Sequence, residues 1–390
     1  MIDYNSKLNK NIASIQTSKI RKYFDLAAKM DNVISLGVGE PDFLTPWHVR
    51  QAAISALEDG TTRYTDNLGL SRLRQAISDY LKRFALDYDP TTQIIATVGG
   101  SEAVDLALRT LLNEDDEVLI PEPCYVCYDP ITRLIGGKVV SIPLSKENVF
   151  KLTPAALKAK ITDRTKILIL SYPNNPTGAI MEQDDLEAIV PILIENDIVV
   201  ISDEIYAELN YTDKKHVSIA SLIGMKERTI LVGGFSKTYS MTGWRLGYVC
   251  GPPPLIKEMI KIHQYTIMCA PTISQIAGIE ALVNGDDDIK RVKDDFNHRR
   301  NYITEAFNRI GLTCYHPQGA FYVFPCIKTT GLSSDEFCER LLYEQHVAVV
   351  PGNAFGDSGE GHIRVSYCYS IKHITEALKR IETFINNINN

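Results

Sequence analysis

No apolar run in this 390-residue chain approaches the ~18 residues that a membrane-crossing helix needs. The opening Met1-Ile2-Asp3-Tyr4-Asn5-Ser6-Lys7 lacks the apolar stretch of a secretion signal. Both absences point to a cytoplasmic protein. Positive charge is also short. Lys and Arg number 41 against 48 Asp and Glu, and the net charge of −7 has the wrong sign for a nucleic-acid surface. The eight histidines show no His-Glu-x-x-His spacing, and no metal site is expected. The eight cysteines are expected as reduced thiols in a long chain without a signal. Cys124 and Cys127 have C-x-x-C spacing, yet no second pair follows at zinc-site distance. Internal repeats, low-complexity tracts and long polar linkers are missing as well. The dinucleotide fingerprint also fails, because Gly37-Val38-Gly39 runs straight into Glu40-Pro41-Asp42. That counts against a Rossmann dehydrogenase.

What is present is an alternation of short apolar runs with amphipathic stretches, the pattern of an α/β protein. The length suits two or three domains. Strands are expected within 33–38, 93–98, 117–120, 166–170, 198–201, 229–232, 320–324, 347–350 and 362–367. Helices are expected over 15–30, 47–60, 70–84, 99–112, 255–268 and 274–284. Ile289, Val292, Phe296, Ile303, Phe307 and Ile310 recur at helical spacing, which adds a long amphipathic helix. Strands as apolar as Ile198-Val199-Val200-Ile201 belong in a parallel sheet covered on both faces.

Chemistry-bearing residues gather at the carboxyl ends of these runs. Thr229-Ile230-Leu231-Val232 leads through Gly233 and Gly234 to Ser236, Lys237 and, eight residues later, Arg245. A lysine at a buried strand exit is a candidate amine nucleophile, and a hydroxyl beside a guanidinium suits a phosphate. A solvated lysine near a structural arginine is the plainer alternative. Asp203 ends another buried run, where a buried carboxylate needs a cationic partner, unless it merely caps the next helix. Asn175 lies in the turn Asn174-Asn175-Pro176-Thr177-Gly178 after a third. In an open α/β sheet these ends converge on one crevice. Gly99-Gly100-Ser101-Glu102 turns into a helix, whose free N–H groups and dipole make an anion site. Arg364 stands between apolar neighbours and wants an anion, either a ligand or a structural Asp or Glu. Tyr64, Tyr125 and the glycines around Val38 read as ordinary packing and turn residues on their own.

The strings Phe-Ser-Lys-Thr, Met-Thr-Gly-Trp-Arg, Asn-Asn-Pro-Thr-Gly and His-Ile-Arg-Val-Ser, with the motifs in family order over nearly the whole chain, resemble the class I/II aminotransferases. These are pyridoxal-phosphate enzymes of aspartate aminotransferase fold. The resemblance is to the bacterial branch that holds aspartate, alanine and aromatic aminotransferases. It implies a large domain with a mostly parallel sheet over 47–285, and a small α+β domain built from 1–46 and 286–390. By resemblance, Lys237 holds the cofactor as a Schiff base and then moves the Cα proton. Asp203 faces the ring nitrogen, while Tyr206 and Asn175 reach the ring oxygen. Tyr125 covers the ring. Gly100, Ser101, Glu102, Ser236 and Arg245 hold the phosphate, joined by Tyr64 from the neighbouring subunit of a homodimer. Gly39, Asn175 and Arg364 receive the substrate, with Arg364 on its α-carboxylate. Asn175-Pro176 is a candidate cis bond.

The implied activity is ping-pong transfer of an amino group from alanine, aspartate or an aromatic amino acid to 2-oxoglutarate or another 2-oxo acid. Many aspartate-using members carry lysine where Ser101 stands, which puts dicarboxylate preference in doubt. A carbon–sulfur β-lyase of the same fold is the alternative reaction. A pyridoxal-phosphate-binding regulatory domain would want a DNA-binding segment that is not seen.

Overall fold

A computed structural model describes residues 2–17, 23 and 25–389. Its strands are β1 Ile34–Ser35, β2 Ile94–Thr97, β3 Glu117–Glu122, β4 Lys138–Pro143, β5 Thr165–Ser171 and β6 Val199–Asp203. They continue with β7 Thr229–Gly234, β8 Gly247–Cys250, β9 Tyr322–Val323, β10 Val347–Ala348, β11 Val350–Pro351 and β12 Ile363–Ser366. Seven of them form one sheet in the order β2-β8-β7-β6-β5-β3-β4. Only β8 runs antiparallel to its neighbours, so β2 through β7 point their carboxyl ends the same way.

Alternation across the sheet explains the continuous apolar runs. Ile167, Ile169, Ile201 and Val232 pack on one face against Ala103 and Val104 of the helix Gly99–Leu111 and Met259 of Pro253–Thr266. Leu168, Leu170 and Val200 pack on the other against Leu186, Ile189 and Leu193 of the helix Gln183–Glu195. Each Val, Leu, Ile or Met among them contributes about 1.5–3 kcal/mol through burial.

A second core holds Phe296, Ile303 and Phe307 of the helix Asp286–Arg309, together with Leu36, Phe321, Phe337 and Phe384. Over it lie the antiparallel sheet β11-β12-β9 and the parallel pair β1-β10. The expected strand over 347–350 is two strands. Val347 pairs with Ile34, whereas Val350 pairs with Arg364, so the chain changes partner at Val349. The helix expected over 15–30 falls partly outside the described residues, while Tyr23 and residues 25–27 are helical. The other expected helices stand with ends moved by one to three residues, the second becoming Ser71–Leu81 plus a 3-10 turn Lys82–Phe84. Among the described residues, no helix is long and apolar enough to cross a membrane.

Candidate active site

The ends of β5, β6 and β7 open into one cavity of ≈ 440 Å³. Sheet register sets the first two ends side by side, with Ser171 paired to Asp203. The turn after β5 is fixed by Asn174, whose Oδ1 accepts from the Thr177 N–H and hydroxyl at 3.1 and 2.8 Å. Both Tyr172-Pro173 and Asn175-Pro176 are cis. Asp203 is buried. Its Oδ2 accepts from the Tyr128 hydroxyl at 2.7 Å and its Oδ1 from the Ile205 N–H at 3.2 Å. Tyr128 has one proton to give, so the Ser171 hydroxyl 3.0 Å away is the donor to Tyr128. Burial pushes the Asp203 carboxyl up despite these donors.

β7 leaves the sheet through Gly233, where a Cβ would come within 2.3 Å of the Tyr248 ring on β8. Only glycine allows that approach. Lys237 follows, and its Nζ donates to the Gly39 carbonyl at 2.6 Å. Burial lowers this amine to about 8, with Arg364 and Arg245 adding to the push. β2 passes through Gly99, at φ 76°, into the helix Gly99–Leu111, whose N-terminus has no side-chain cap. A Cβ on Gly99 would meet the Arg245 guanidinium at 2.6 Å. The uncapped N–H groups and this guanidinium therefore share one anion-receiving corner.

From the other core, β12 presents Arg364, which is 4% exposed. Among the described residues, no Asp or Glu meets it. Its Nη1 donates to Asn175 Oδ1 at 3.1 Å, its Nη2 donates to the Gly37 carbonyl, and its buried Nε has no partner among the described residues. Such a guanidinium is organised for an anion that comes from outside the chain.

All the residues expected at the site border this cavity except Glu102 and Tyr64. Glu102 turns its carboxylate away, to the Val98 N–H and to His263 Nδ1 at 2.7 Å, so only its backbone remains for a ligand. Tyr64 is 81% exposed and stands outside the cavity. Reading the sequence missed Tyr128 and Tyr322, both of which line the cavity. The Tyr322 hydroxyl lies 2.9 Å from that of Tyr206. Cys124 and Cys127 are free thiols that burial pushes up, away from thiolate chemistry. Among the described residues, no cluster of His, Cys, Asp and Glu could hold a metal ion.

A family model, aminotransferase class I and II, matches residues 31–381. The chain belongs to that family. YugH of Bacillus subtilis (strain 168) is 50% identical over 381 residues, 97% of this chain and 98% of that protein. Aspartate aminotransferase of Pyrococcus abyssi is 46% identical over 371 residues, 94% of this chain and 95% of the relative. The solved aromatic aminotransferase of Pyrococcus horikoshii OT3 superposes with a TM-score of 0.90 at 43% identity, covering 94% of this chain and 99% of that one. The enzyme is thus an aminotransferase of aspartate aminotransferase fold, and its cofactor is pyridoxal 5'-phosphate. Its residues fit that group. An amine with pKa about 8, a buried carboxylate and an uncapped helix N-terminus beside a guanidinium all meet in one cavity.

Proposed function

We propose that this aminotransferase moves the amino group of alanine, aspartate or an aromatic amino acid to 2-oxoglutarate or another 2-oxo acid, in two half-reactions through Lys237. The observation that carries the reading is the meeting of a buried low-pKa amine with a buried arginine whose Nε has no partner among the described residues. Bound pyridoxal phosphate supplies the electron sink for the charge left at Cα when its proton departs. Arg364 takes the α-carboxylate and so aims the Cα–H bond. Lys237 tethers the cofactor between turnovers. Once released, its Nζ takes the Cα proton and returns it elsewhere on the same face.

Asp203 keeps a negative charge against the ring nitrogen. Asn175 gives its Oδ1 to Arg364, which leaves its Nδ2 to donate, with the Tyr206 hydroxyl, toward the ring oxygen. Tyr125 covers the ring face. The N–H groups of Gly100, Ser101 and Glu102, the Ser236 hydroxyl and Arg245 take the phosphate. Gly39 shapes the substrate side through its backbone. Tyr64 serves the cavity of a second subunit in a cytoplasmic homodimer, a role its exposure supports. Residues 1–46 and 286–390 form the small domain and 47–285 the large one, a division that the β1–β10 pairing supports.

The names of the relatives do not favour a β-lyase. A panel of amino donors, each assayed with and without 2-oxoglutarate, separates the two reactions. A lyase releases ammonia with no oxo acid present. Borohydride reduction and peptide mapping should place a pyridoxyl group on Lys237. Its absence from the Phe235–Thr238 peptide of cofactor-loaded enzyme sinks the reading. Sedimentation of the loaded enzyme as a monomer would remove the role given to Tyr64.

A further inference from the structure

Tyr322, on β9, touches three parts of the site at once. Its hydroxyl lies 2.9 Å from the Tyr206 hydroxyl, with both residues buried. The Arg364 guanidinium sits over its ring at 4.6 Å. A Cβ on Gly39 would come within 2.0 Å of its hydroxyl oxygen, so the glycine leaves the space in which that oxygen stands. Among the described residues, Tyr206 is the hydrogen-bond partner of this hydroxyl.

A phenol has one proton. If Tyr206 directs its own toward the ring oxygen of the cofactor, the proton between the two tyrosines belongs to Tyr322. We propose that Tyr322 is a positioning residue for transamination: it donates to Tyr206, so that Tyr206 presents its proton to the cofactor, and its ring holds the Arg364 guanidinium in place for the carboxylate. This rests on the role proposed for Tyr206. A hydroxyl that accepts a hydrogen bond becomes a stronger donor itself. A stronger donor at the ring oxygen stabilises negative charge there and makes the lysine-linked nitrogen less basic. Tyr322 therefore lowers the pH midpoint of the visible absorption of the resting, cofactor-loaded enzyme.

The test titrates that absorption, without substrate, in the wild type, Tyr322→Phe, Tyr206→Phe and the double variant, with melting temperatures recorded alongside. Tyr322→Phe keeps the ring and should raise the midpoint by about 0.3–1 pH unit, the scale of one neutral hydrogen bond. Tyr206→Phe should raise it further, and the double variant should match Tyr206→Phe, because the effect of Tyr322 passes through Tyr206. Tyr322→Leu, which removes the ring, should also raise KM for the amino acid several-fold, a change Tyr322→Phe should not make. A wild type that titrates normally while Tyr322→Phe leaves the midpoint in place overturns this inference alone. So does a shift that persists in full on the Tyr206→Phe background. A wild type with no titrating band overturns the reading of Lys237 and this inference with it.

Discussion

The guanidinium of Arg364 donates to Asn175 Oδ1 at 3.1 Å, tying β12 of one core to the turn after β5 of the other. The bond spans 189 positions in sequence, and both residues line the cavity. Rings of Tyr322 and Phe355 lie 4.6 and 4.8 Å from the guanidinium and help exclude water. Among the described residues, the arginine is thus held by neutral groups. A buried guanidinium so held is suited to pairing with an incoming anion.

Replacing Arg364 with lysine should therefore cost binding more than fold. Lysine keeps a charge but loses the fork that can grip a carboxylate at two points and Asn175 at a third. We expect kcat/KM for the amino donor to fall roughly 10²–10³-fold, on the scale of two charge-assisted hydrogen bonds. Cofactor affinity should stay within a few-fold of wild type. Steady-state kinetics and cofactor titration check the two halves separately. An unchanged KM in Arg364→Lys contradicts the role assigned to this residue.

Lys237 should leave a mark on stability as well as on turnover. Its pKa falls from 10.5 to about 8 in the folded protein. Between those values the unfolded chain binds the extra proton, so the cofactor-free protein gains stability as pH rises from about 8 toward 10.5. The gain amounts to about 3 kcal/mol over the window. Lys237→Met has no such proton to lose. The difference in unfolding free energy between variant and wild type, both without cofactor, should favour the variant at pH 7 and shrink as pH rises through the window. Denaturant melts at pH 7, 8.5 and 10 measure it, and a pH-independent difference goes against the burial argument. With cofactor present, Lys237→Ala should lose turnover by about 10⁴-fold or more, since it removes the residue proposed as both proton carrier and tether.

How much of this was legible beforehand divides along a physical line. Asn175, Asp203 and Lys237 could be read because each ends an apolar run, and parallel strands gather such ends. The identity of Asp203's partner could not. Tyr128 reaches it from the helix Tyr128–Ile135, and its second contact depends on the β5–β6 register that sets Ser171 beside Asp203. Tyr322 looked like one more apolar strand residue, because nothing local says that its hydroxyl meets Tyr206. For Glu102 the turn itself was legible but the side chain was not: its carboxylate is occupied by the Val98 N–H and by buried His263, which leaves its backbone N–H for the phosphate role proposed above. β4 escaped notice because it is an edge strand with a mixed pattern, and β8 because it is four residues long and opens on a glycine. The break at Val349 was invisible because β10 and β11 belong to one continuous apolar run and differ only in distant partners.

Tyr128→Phe tests the partner of Asp203. The substitution leaves a buried carboxylate oxygen without its 2.7 Å donor, and burial already pushes this carboxyl up. Losing a donor to a buried charged group costs about 1–3 kcal/mol. Part of that should appear as a lower melting temperature of the cofactor-free protein. The rest should appear as cofactor affinity weakened about tenfold, because a carboxylate that protonates more readily opposes the ring nitrogen less well. An unaltered dissociation constant for pyridoxal phosphate would show that Asp203 does not need this hydroxyl.

Ser101 bears on which amino acid is used. It lines the cavity at the first turn of the helix Gly99–Leu111. The cations among the residues that line the same cavity are Lys237, Arg245 and Arg364, and each has a proposed task already. A second carboxylate, as on aspartate, therefore finds a hydroxyl at position 101 where an ammonium would hold it more firmly. One charge-assisted hydrogen bond is worth roughly 1.5–3 kcal/mol. Ser101→Lys should accordingly raise the ratio of kcat/KM for aspartate over alanine by about tenfold or more. Its own cost is repulsion from Arg245, which should weaken cofactor binding at low salt and less at high salt. Competition assays with both donors at 20 and 300 mM salt (roughly 20 and 6 Å of screening) separate the two effects. A ratio that stays fixed while cofactor affinity falls would place the second carboxylate away from this turn, and would send the search for its receptor to the neighbouring subunit.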